Sequence, residues 1–405
     1  MWGNPGHLAE LKRIITETYA SSSDDTQLEV LVAETNSENS TYDGIDWGGE
    51  RVAQEVTDKV VKLEQDGKTV TRFSVTGYSL GGLIARYLVG ILYQRSFFMK
   101  VVPTNFNTLA TPHIGLPRYP SFFSAVTSSL GPKLLSRTGE QFYLVDKWSA
   151  SGRPLIEVLA DPDRIFHQAL QSFQHIRIYA NAIHDITVPY VTSAIEVEDP
   201  FALHETNGIE IQFEDNYPCL IKSFEFPVIP SAPTPKPIML SPEWWRALKP
   251  RRPFLPPPLQ MRFPFNLVIY TMLPLLLPVF ISLIVVHLSL ATKASRARIR
   301  LLEEDRTNTQ RLIDILAELE DKVELVDASP SREEKGKQVA ALPILTPVQV
   351  RAAEWLNQLP LQKQLAYFPD VRNAHAIIVC RDAKRFEVHR QGEGILRHWA
   401  TSFVL

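Results

Sequence analysis

A serine lies between two glycines in Gly77-Tyr78-Ser79-Leu80-Gly81, a pattern that could do chemistry. An apolar run, residues 69–77, precedes it, and an amphipathic helical pattern, residues 81–95, follows. A serine hydroxyl becomes a useful nucleophile when a base removes its proton, and G-x-S-x-G at a strand-to-helix turn exposes such a serine. The pattern therefore favours Ser79 as a nucleophile over a serine that only caps a helix. The backbone N–H of Leu80 would be one oxyanion donor.

The acid that orients the base should follow a later strand. Asp185 comes directly after an apolar run at residues 176–183, and a Val-Pro pair follows it in the same loop. We therefore predict Asp185 as the acid, with the aspartate of an ordinary Asx turn as the alternative. Asp161 and Asp163 are weaker candidates because they lie at the start of a predicted cap helix.

The base should be a histidine, and the residues alone do not single one out. His184 adjoins the acid, and His113 follows another predicted strand, where it could line the pocket. His204 lies in a loop soon after Asp185, whereas His375 precedes a predicted strand in the C-terminal part. The histidines that follow Asp185 are His204, His287, His375, His389 and His398, and His287 is disfavoured because it lies in an apolar segment.

Strand and helix patterns alternate over residues 1–215, which predicts βαβ units and an α/β fold with a mostly parallel sheet. Residues 118–172 interrupt this alternation; they are helical in pattern and would form a cap. The predicted strands are 28–35, 69–77, 106–112 and 176–183, and the predicted helices are 47–65 and 81–95.

The composition changes after residue 215. Residues 216–263 are rich in proline and predict an extended linker, whereas residues 264–290 are apolar and uncharged over a length that could cross a bilayer. Residues 291–344 predict a charged helix followed by a disordered linker. Residues 345–405 are globular in composition and would complete the first domain.

The apolar segment has features that a simple membrane span does not need. Pro274 and Pro278 lie near its middle, and basic residues flank both of its ends. We expect a bend at the prolines and a hairpin anchored in one leaflet, with a tilted span as the alternative. A single span would put Ser79 and His375 on opposite sides of the membrane, so it would exclude His375 as the base.

Composition limits the other function classes. The net charge of the 405 residues is −3, which gives no reason to expect nucleic-acid binding. Cys219 and Cys380 are too few for a disulfide framework and have no metal-site spacing, which indicates a reducing compartment. The first residues lack the apolar core of a secretory signal. We expect neither a cofactor nor a metal.

Five stretches carry a family resemblance over residues 2 to about 200: WGNPGHL, TYDGIDWGGERVAQEV, VTGYSLGGLIARY, NTLATPHIGLP and YANAIHDITVPY, with NAHAIIVCR and EGILRHWA near the end. Together they resemble the putative serine esterase family of lipase-like α/β-hydrolases, whose fungal branch includes lipid-droplet phospholipases. The resemblance implies an α/β-hydrolase-like fold, with Ser79 as nucleophile, Asp185 as acid and His375 as base.

The chain departs from that family at its start. Relatives usually carry an apolar strand and a His-Gly pair before WGNP, and the loop there supplies the second oxyanion donor. Met1 stands where that loop residue would be. By the resemblance, the N-terminal strand and the His-Gly motif are missing, so either the chain is a truncated gene product or its oxyanion hole is incomplete.

The sequence therefore predicts a membrane-associated serine hydrolase, similar to lipases and phospholipases, that cleaves lipid carboxylic esters through an acyl-enzyme on Ser79. Its partners would be a lipid substrate and a membrane or lipid-droplet surface, inside the cell at the endoplasmic reticulum or a lipid droplet. One alternative is a membrane-anchored pseudoenzyme, or interaction protein, that keeps the serine turn but lacks a complete oxyanion hole. Another is an acyltransferase on the same fold.

Overall fold

A six-stranded mixed sheet with helices on both faces organises the chain in the computed structural model, which describes residues 3–20, 26–227, 241, 265–304 and 342–405. The strand order is β1-β2-β3-β6-β5-β4. The strands are β1 Arg72–Tyr78, β2 Val102–Leu109, β3 His175–Asn181, β4 Glu210–Glu214, β5 Tyr217–Glu225 and β6 Leu361–Ala366. The predicted α/β class is confirmed at this level.

Strands β1, β2, β3 and β6 are parallel, whereas β5 is antiparallel to β6 and β4 is antiparallel to β5. Parallel strands place their carboxyl ends at one edge of a sheet, and ligands bind there in open α/β sheets. The loops that follow β1, β3 and β6 carry Ser79, Asp185 and His375, so the sheet brings all three candidate residues to that edge.

Helices pack on both faces because the side chains of a strand alternate between them. On β2, Phe106 packs with one buried cluster and Leu109 with another. The helices are α1 Ala9–Thr18, α2 Ile45–Gln65, α3 Leu80–Gln94, α4 Phe122–Leu134, α5 Ser136–Phe142, α6 Leu155–Ala160, α7 Ile165–Gln171, α8 Tyr190–Ser193, α9 Phe265–Glu304, α10 Pro347–Leu356 and α11 Glu393–Thr401.

Most predicted elements of the first half are present. The strands predicted at 69–77, 106–112 and 176–183 correspond to β1, β2 and β3, and the predicted helices correspond to α2 and α3. The cap region contains α4 to α7, as its helical pattern indicated.

Three predicted boundaries or elements differ from the structure. Residues 28–35 form no strand; a cavity that they line separates them from the free edge of β1, so they have no ladder partner. Residues 217–225, assigned to the linker, form β5 in the sheet. The run after His375 forms turns, and its apolar side chains Ile377, Ile378 and Val379 are buried beside α1 and α11.

The apolar segment forms the first part of α9, a single helix that continues through Pro274 and Pro278. The helix does not end at either proline, so it has no turn there of the kind that a hairpin needs. The predicted charged helix is its continuation as far as Glu304, and residues 305–341 of that prediction lie outside the described residues. At the end of the predicted linker, Ile344 forms an isolated antiparallel bridge with Arg118.

The C-terminal part of α9 lies on the domain and is held there by a buried carboxylate. Asp43, which is fully buried, accepts hydrogen bonds from the Ser295 hydroxyl at 2.7 Å and the Arg298 guanidinium at 2.8 Å. Arg51, from α2, donates to its other oxygen at 2.9 Å. A buried charge needs such partners, so this carboxylate fixes where α9 contacts the domain.

We predict that Arg298→Ala weakens the contact between α9 and the domain. Hydrogen bonds to a charged group contribute about 1.5–3 kcal/mol. The expected result is at least tenfold faster alkylation of a cysteine introduced by Ala291→Cys, which is buried against the domain, because about 1.4 kcal/mol is a factor of ten. The rate would be followed at that peptide by mass spectrometry.

The matched control is Arg296→Ala in the same Ala291→Cys chain. Arg296 is 60% exposed and reaches Glu140 at 3.4 Å, so its loss should change the alkylation rate little. Equal acceleration by both variants would contradict the role of Asp43.

Candidate active site

Ser79 occupies the turn between β1 and α3 in a backbone conformation that few residues with a side chain adopt, φ 54° and ψ −125°. Such strained residues cluster at functional sites. The Ser79 N–H donates to Leu109 O at 2.9 Å, and the Thr111 hydroxyl donates to Ser79 O at 3.0 Å. The end of β2 and the loop that follows it therefore hold the turn through both backbone groups of the serine.

The glycines around Ser79 have different roles. A Cβ on Gly77 would lie 2.5 Å from Gly81 O, and a Cβ on Gly82 would lie 2.0 Å from the Thr111 hydroxyl, so both positions need glycine. A Cβ on Gly81 would meet nothing within 4 Å. The close approach thus involves Gly77 and Gly82, and the second glycine of the sequence pattern is not sterically required.

Asp185 is buried in the loop after β3, with both carboxylate oxygens occupied. Its Oδ1 accepts the backbone N–H groups of Thr187 at 3.0 Å and Val188 at 2.8 Å. Its Oδ2 accepts from Asn181 Nδ2 at 2.8 Å and lies 3.0 Å from His375 Nδ1. These contacts fix the orientation of the carboxylate toward His375.

His375 lies between the serine and the aspartate. Its Nε2 is 3.0 Å from Ser79 Oγ and its Nδ1 is 3.0 Å from Asp185 Oδ2. With the Nδ1 proton directed at the carboxylate, Nε2 presents a lone pair to the serine hydroxyl, which is the geometry a general base requires. The structure thus brings together the three residues that the sequence analysis favoured.

Two residues hold the loop that carries His375. The Tyr78 hydroxyl donates to His375 O at 2.9 Å, and its ring lies 5.1 Å from the imidazole, centroid to centroid. Burial raises the pKa of Tyr78, which keeps it a donor. His184, next to the acid, accepts at its backbone oxygen from Ala374 N at 2.9 Å. His184 therefore supports the loop.

The other acids and bases have different partners. Asp161 pairs with Arg153 at 2.7 Å and accepts the backbone N–H of Asp163, so it organises a turn in the cap. His204 Nδ1 lies 2.8 Å from Phe201 O. The buried His113 contacts the Thr108 hydroxyl at 2.9 Å, and burial, together with Arg86, lowers the pKa of its imidazole.

The remaining histidines after the acid also have partners elsewhere. His389 Nδ1 accepts from Asp382 N, and His398 Nδ1 lies 3.0 Å from the Tyr179 hydroxyl. His287 is exposed on the apolar part of α9.

Leu80 is the first residue of α3, so its N–H has no carbonyl partner within that helix. It is therefore available to an oxyanion that forms next to Ser79. Met1, the second expected oxyanion position, lies outside the described residues. Gly3 and Asn4, the nearest described residues to it in the chain, line the same cavity as Ser79.

A mostly apolar cavity of about 1040 Å³ opens beside Ser79 and His375. It runs between the free edge of β1 and residues 26–33, and side chains from α1, α2 and α3 complete its walls. Only Leu135 and Phe142 of the cap region line it. The apolar space that reaches the serine thus lies mainly beside β1.

This arrangement is competent for acyl transfer: a serine, a histidine that can take its proton, a carboxylate that orients the histidine, and a free backbone N–H. Within the described ranges, no group of three or more His, Cys, Asp or Glu side chains could hold a metal ion.

Sequence reasoning missed Asn181 and Tyr78 as supports of the site. Asn181 ends β3 and Tyr78 ends β1, at the edge where the site forms. A polar or aromatic residue at the carboxyl end of a parallel strand was a signal that could have found both.

We predict that Asn181→Ala lowers kcat for ester hydrolysis about tenfold, because Asp185 Oδ2 loses a donor worth about 1.5 kcal/mol and orients His375 less well. KM should stay unchanged, because Asn181 does not line the cavity. Steady-state kinetics on a soluble short-chain ester measure both. Thr187→Val, which replaces the hydroxyl that Asn373 contacts at 3.3 Å by a methyl group and keeps the backbone N–H, is the control. A raised KM at unchanged kcat would contradict a positioning role.

The first half of the chain is similar to a known protein family. Residues 1–195 match the family model described as "Putative serine esterase (DUF676)". This match covers Ser79 and Asp185, and His375 lies beyond it. No solved structure matches the chain.

Curated yeast proteins also match part of the chain. "Putative lipase C4A8.10" of Schizosaccharomyces pombe is 29% identical over 205 residues, which are 49% of this chain and 26% of that protein. "Putative lipase ROG1" of Saccharomyces cerevisiae is 31% identical over 157 residues, 38% of this chain and 22% of that protein. The chain thus matches about a quarter of the length of these relatives.

Proposed function

We propose, from the match of residues 1–195 to the putative serine esterase family, that this chain is a serine hydrolase with an α/β-hydrolase-like fold that cleaves carboxylic esters of lipids. The observation that carries the proposal is the contact series Ser79–His375–Asp185, with both histidine nitrogens 3.0 Å from their partners. A serine that only capped α3 would need no such histidine, and Ser79 makes no side-chain capping hydrogen bond to the helix.

In the acylation step, Ser79 Oγ attacks the ester carbonyl carbon while His375 Nε2 takes the hydroxyl proton. Asp185 keeps the Nδ1 proton directed at itself and stabilises the imidazolium. The carbonyl oxygen becomes an oxyanion, to which Leu80 N–H donates. When the tetrahedral intermediate collapses, His375 returns the proton to the departing alkoxide, and an alcohol leaves.

In the deacylation step, water takes the place of the alcohol. His375 removes a proton from this water, whose oxygen attacks the acyl carbon, and collapse of the second intermediate regenerates the Ser79 hydroxyl and releases a carboxylic acid. If an alcohol reached the acyl-enzyme instead of water, the same groups would transfer the acyl group.

A lipid ester suits the cavity beside Ser79 better than a small polar ester does. Its volume of about 1040 Å³ is at the upper end of ordinary ligand pockets, and apolar side chains from four elements line it. Burial of an acyl chain contributes about 0.8 kcal/mol per methylene. The cavity therefore supports a substrate with a long acyl chain.

The apolar part of α9 supports association with a membrane. The helix from Ile269 to Glu304 contains an 18-residue stretch with a mean hydropathy of 2.4, and no residue of this stretch is buried in the protein. Exposed apolar surface of this extent is unfavourable in water and marks a site that contacts a membrane or a partner. We propose an intracellular lipid surface, the endoplasmic reticulum or a lipid droplet, as the place where the chain meets its substrate.

We predict that a fluorophosphonate probe, which reacts with activated serines, labels the chain at Ser79, and that Ser79→Ala abolishes the labelling. Thr111→Val is the control for a disturbed turn, because its hydroxyl supports the Ser79 backbone without contributing to the proton transfer. Labelling of the Ser79→Ala chain equal to that of the parent chain would refute the assignment. An unlabelled parent chain that is folded by circular dichroism would instead support the pseudoenzyme.

We predict that His375→Ala lowers kcat about 10⁴-fold, as loss of one member of a serine–histidine–aspartate unit does. His204→Ala should have a much smaller effect, because its ring contacts Phe201 O and the rings of His184 and Tyr367. The reverse order of the two effects, measured on the same ester, would assign the base to the loop after Asp185.

A further inference from the structure

The insertion that contains α9 separates two parts of the chain that belong to one sheet. Strand β5 precedes the insertion and β6 follows it. The two strands pair through Leu220 opposite Ala366 and Ile221 opposite Leu365. The hydrogen bond between Ser79 and His375 also joins residues on the two sides of α9. A folded sheet cannot extend through a bilayer, so both flanks of the insertion lie on one side of any membrane that α9 enters.

The position of α9 on the domain fixes one of its ends. Residues at helical spacing on one side of its C-terminal part are buried against the domain: Ala291, Thr292, Ser295 and Ile299. The Thr292 hydroxyl donates to Leu134 O at 2.7 Å. The C-terminal end of α9 therefore lies on the side of the membrane where the domain lies.

The preceding part of the helix extends away from the domain and is apolar on every side. From Leu275 to Val286, its leucine, isoleucine, valine and phenylalanine side chains are exposed. From Ile269 to Leu290 the helix is about 33 Å long at 1.5 Å per residue, close to the thickness of a hydrocarbon core. Length alone would allow it to cross.

The residues before the helix oppose a crossing. If α9 spanned the membrane, Phe265 would lie on the far side, and residues 228–264 would have to cross back to reach β5. These 37 residues contain eleven prolines and six lysines or arginines. Proline cannot donate the hydrogen bonds that a spanning helix needs, and each charge is costly at the centre of a bilayer.

We propose that α9 is a one-sided anchor: its apolar part lies within a single lipid leaflet, and both of its ends are at the surface that faces the catalytic domain. A helix satisfies most of its backbone hydrogen bonds internally, so it can lie in lipid without crossing it. Lys293 and Arg300 are exposed at one end, and Arg262 precedes the other, where they suit anionic head groups. A phospholipid monolayer could hold this anchor as well as a bilayer. The proposal rests on the membrane association proposed above, and not on catalysis.

The test introduces single cysteines into the full chain and exposes them to a membrane-impermeant maleimide in sealed microsomes. Gln260→Cys reports the segment before the helix, and Ala294→Cys reports the exposed side of its docked end. Lys384→Cys marks the surface of the domain. The parent chain gives the background from Cys219 and Cys380.

The expected result is that all three cysteines are modified to the same extent before and after detergent, or that all three are protected until detergent is added. Protection of Gln260→Cys alone would show that α9 spans the bilayer and would overturn the proposal. Release of the chain into the supernatant by carbonate would refute the membrane association itself, and with it the anchor. The Ser79→Ala chain should show the same cysteine modification and the same membrane association as the parent chain. The test of the anchor therefore does not depend on catalytic activity.

Discussion

The pairing of β6 with β3 is the constraint on which the candidate site depends. Six residues of each strand are in register, from Ile176 opposite Leu361 to Asn181 opposite Ala366. The loop after β3 holds Asp185, and the loop after β6 holds His375, so this one ladder brings together groups 190 residues apart in the chain. Ser79 comes to the same edge because β2 joins β1 to β3. A long insertion between β5 and β6 is compatible with the site because both strands stay in the sheet.

Much of this arrangement could be predicted from the sequence because it depends on local patterns. The serine turn, Asp185 and the three parallel strands of the first half follow from apolar runs, glycines and turn residues. The base could not be derived in that way, because its position depends on a ladder between distant segments, and the family resemblance was needed to favour His375. The apolar run after His375 was misassigned as a strand because burial among α1 and α11 produces the same pattern as a buried strand.

The strand predicted at residues 28–35 is absent for a different reason. Its composition favours a strand, but a strand needs a neighbour to satisfy its backbone groups. The free edge of β1 faces the cavity that these residues line. Residues 28–35 therefore have no neighbouring strand with which to pair. The same free edge contributes to the apolar cavity beside Ser79. The predicted cap, residues 118–172, contributes only Leu135 and Phe142 to this cavity.

The start of α2 connects the cap, α9 and the domain through two neighbouring carboxylates. Asp46 accepts from Arg137 and Gln141 of α5 and from Trp148, whereas Asp43 accepts from Ser295 and Arg298 of α9. Both carboxylates are buried, and removing one partner of a buried charge costs far more than a surface ion pair contributes. The cap and α9 are therefore held on the domain by specific hydrogen bonds, and not by apolar contact alone. Because α9 extends from this junction as one unbroken helix, its direction relative to the active site follows from the junction, and a lipid surface that holds the helix also restrains the orientation of the site.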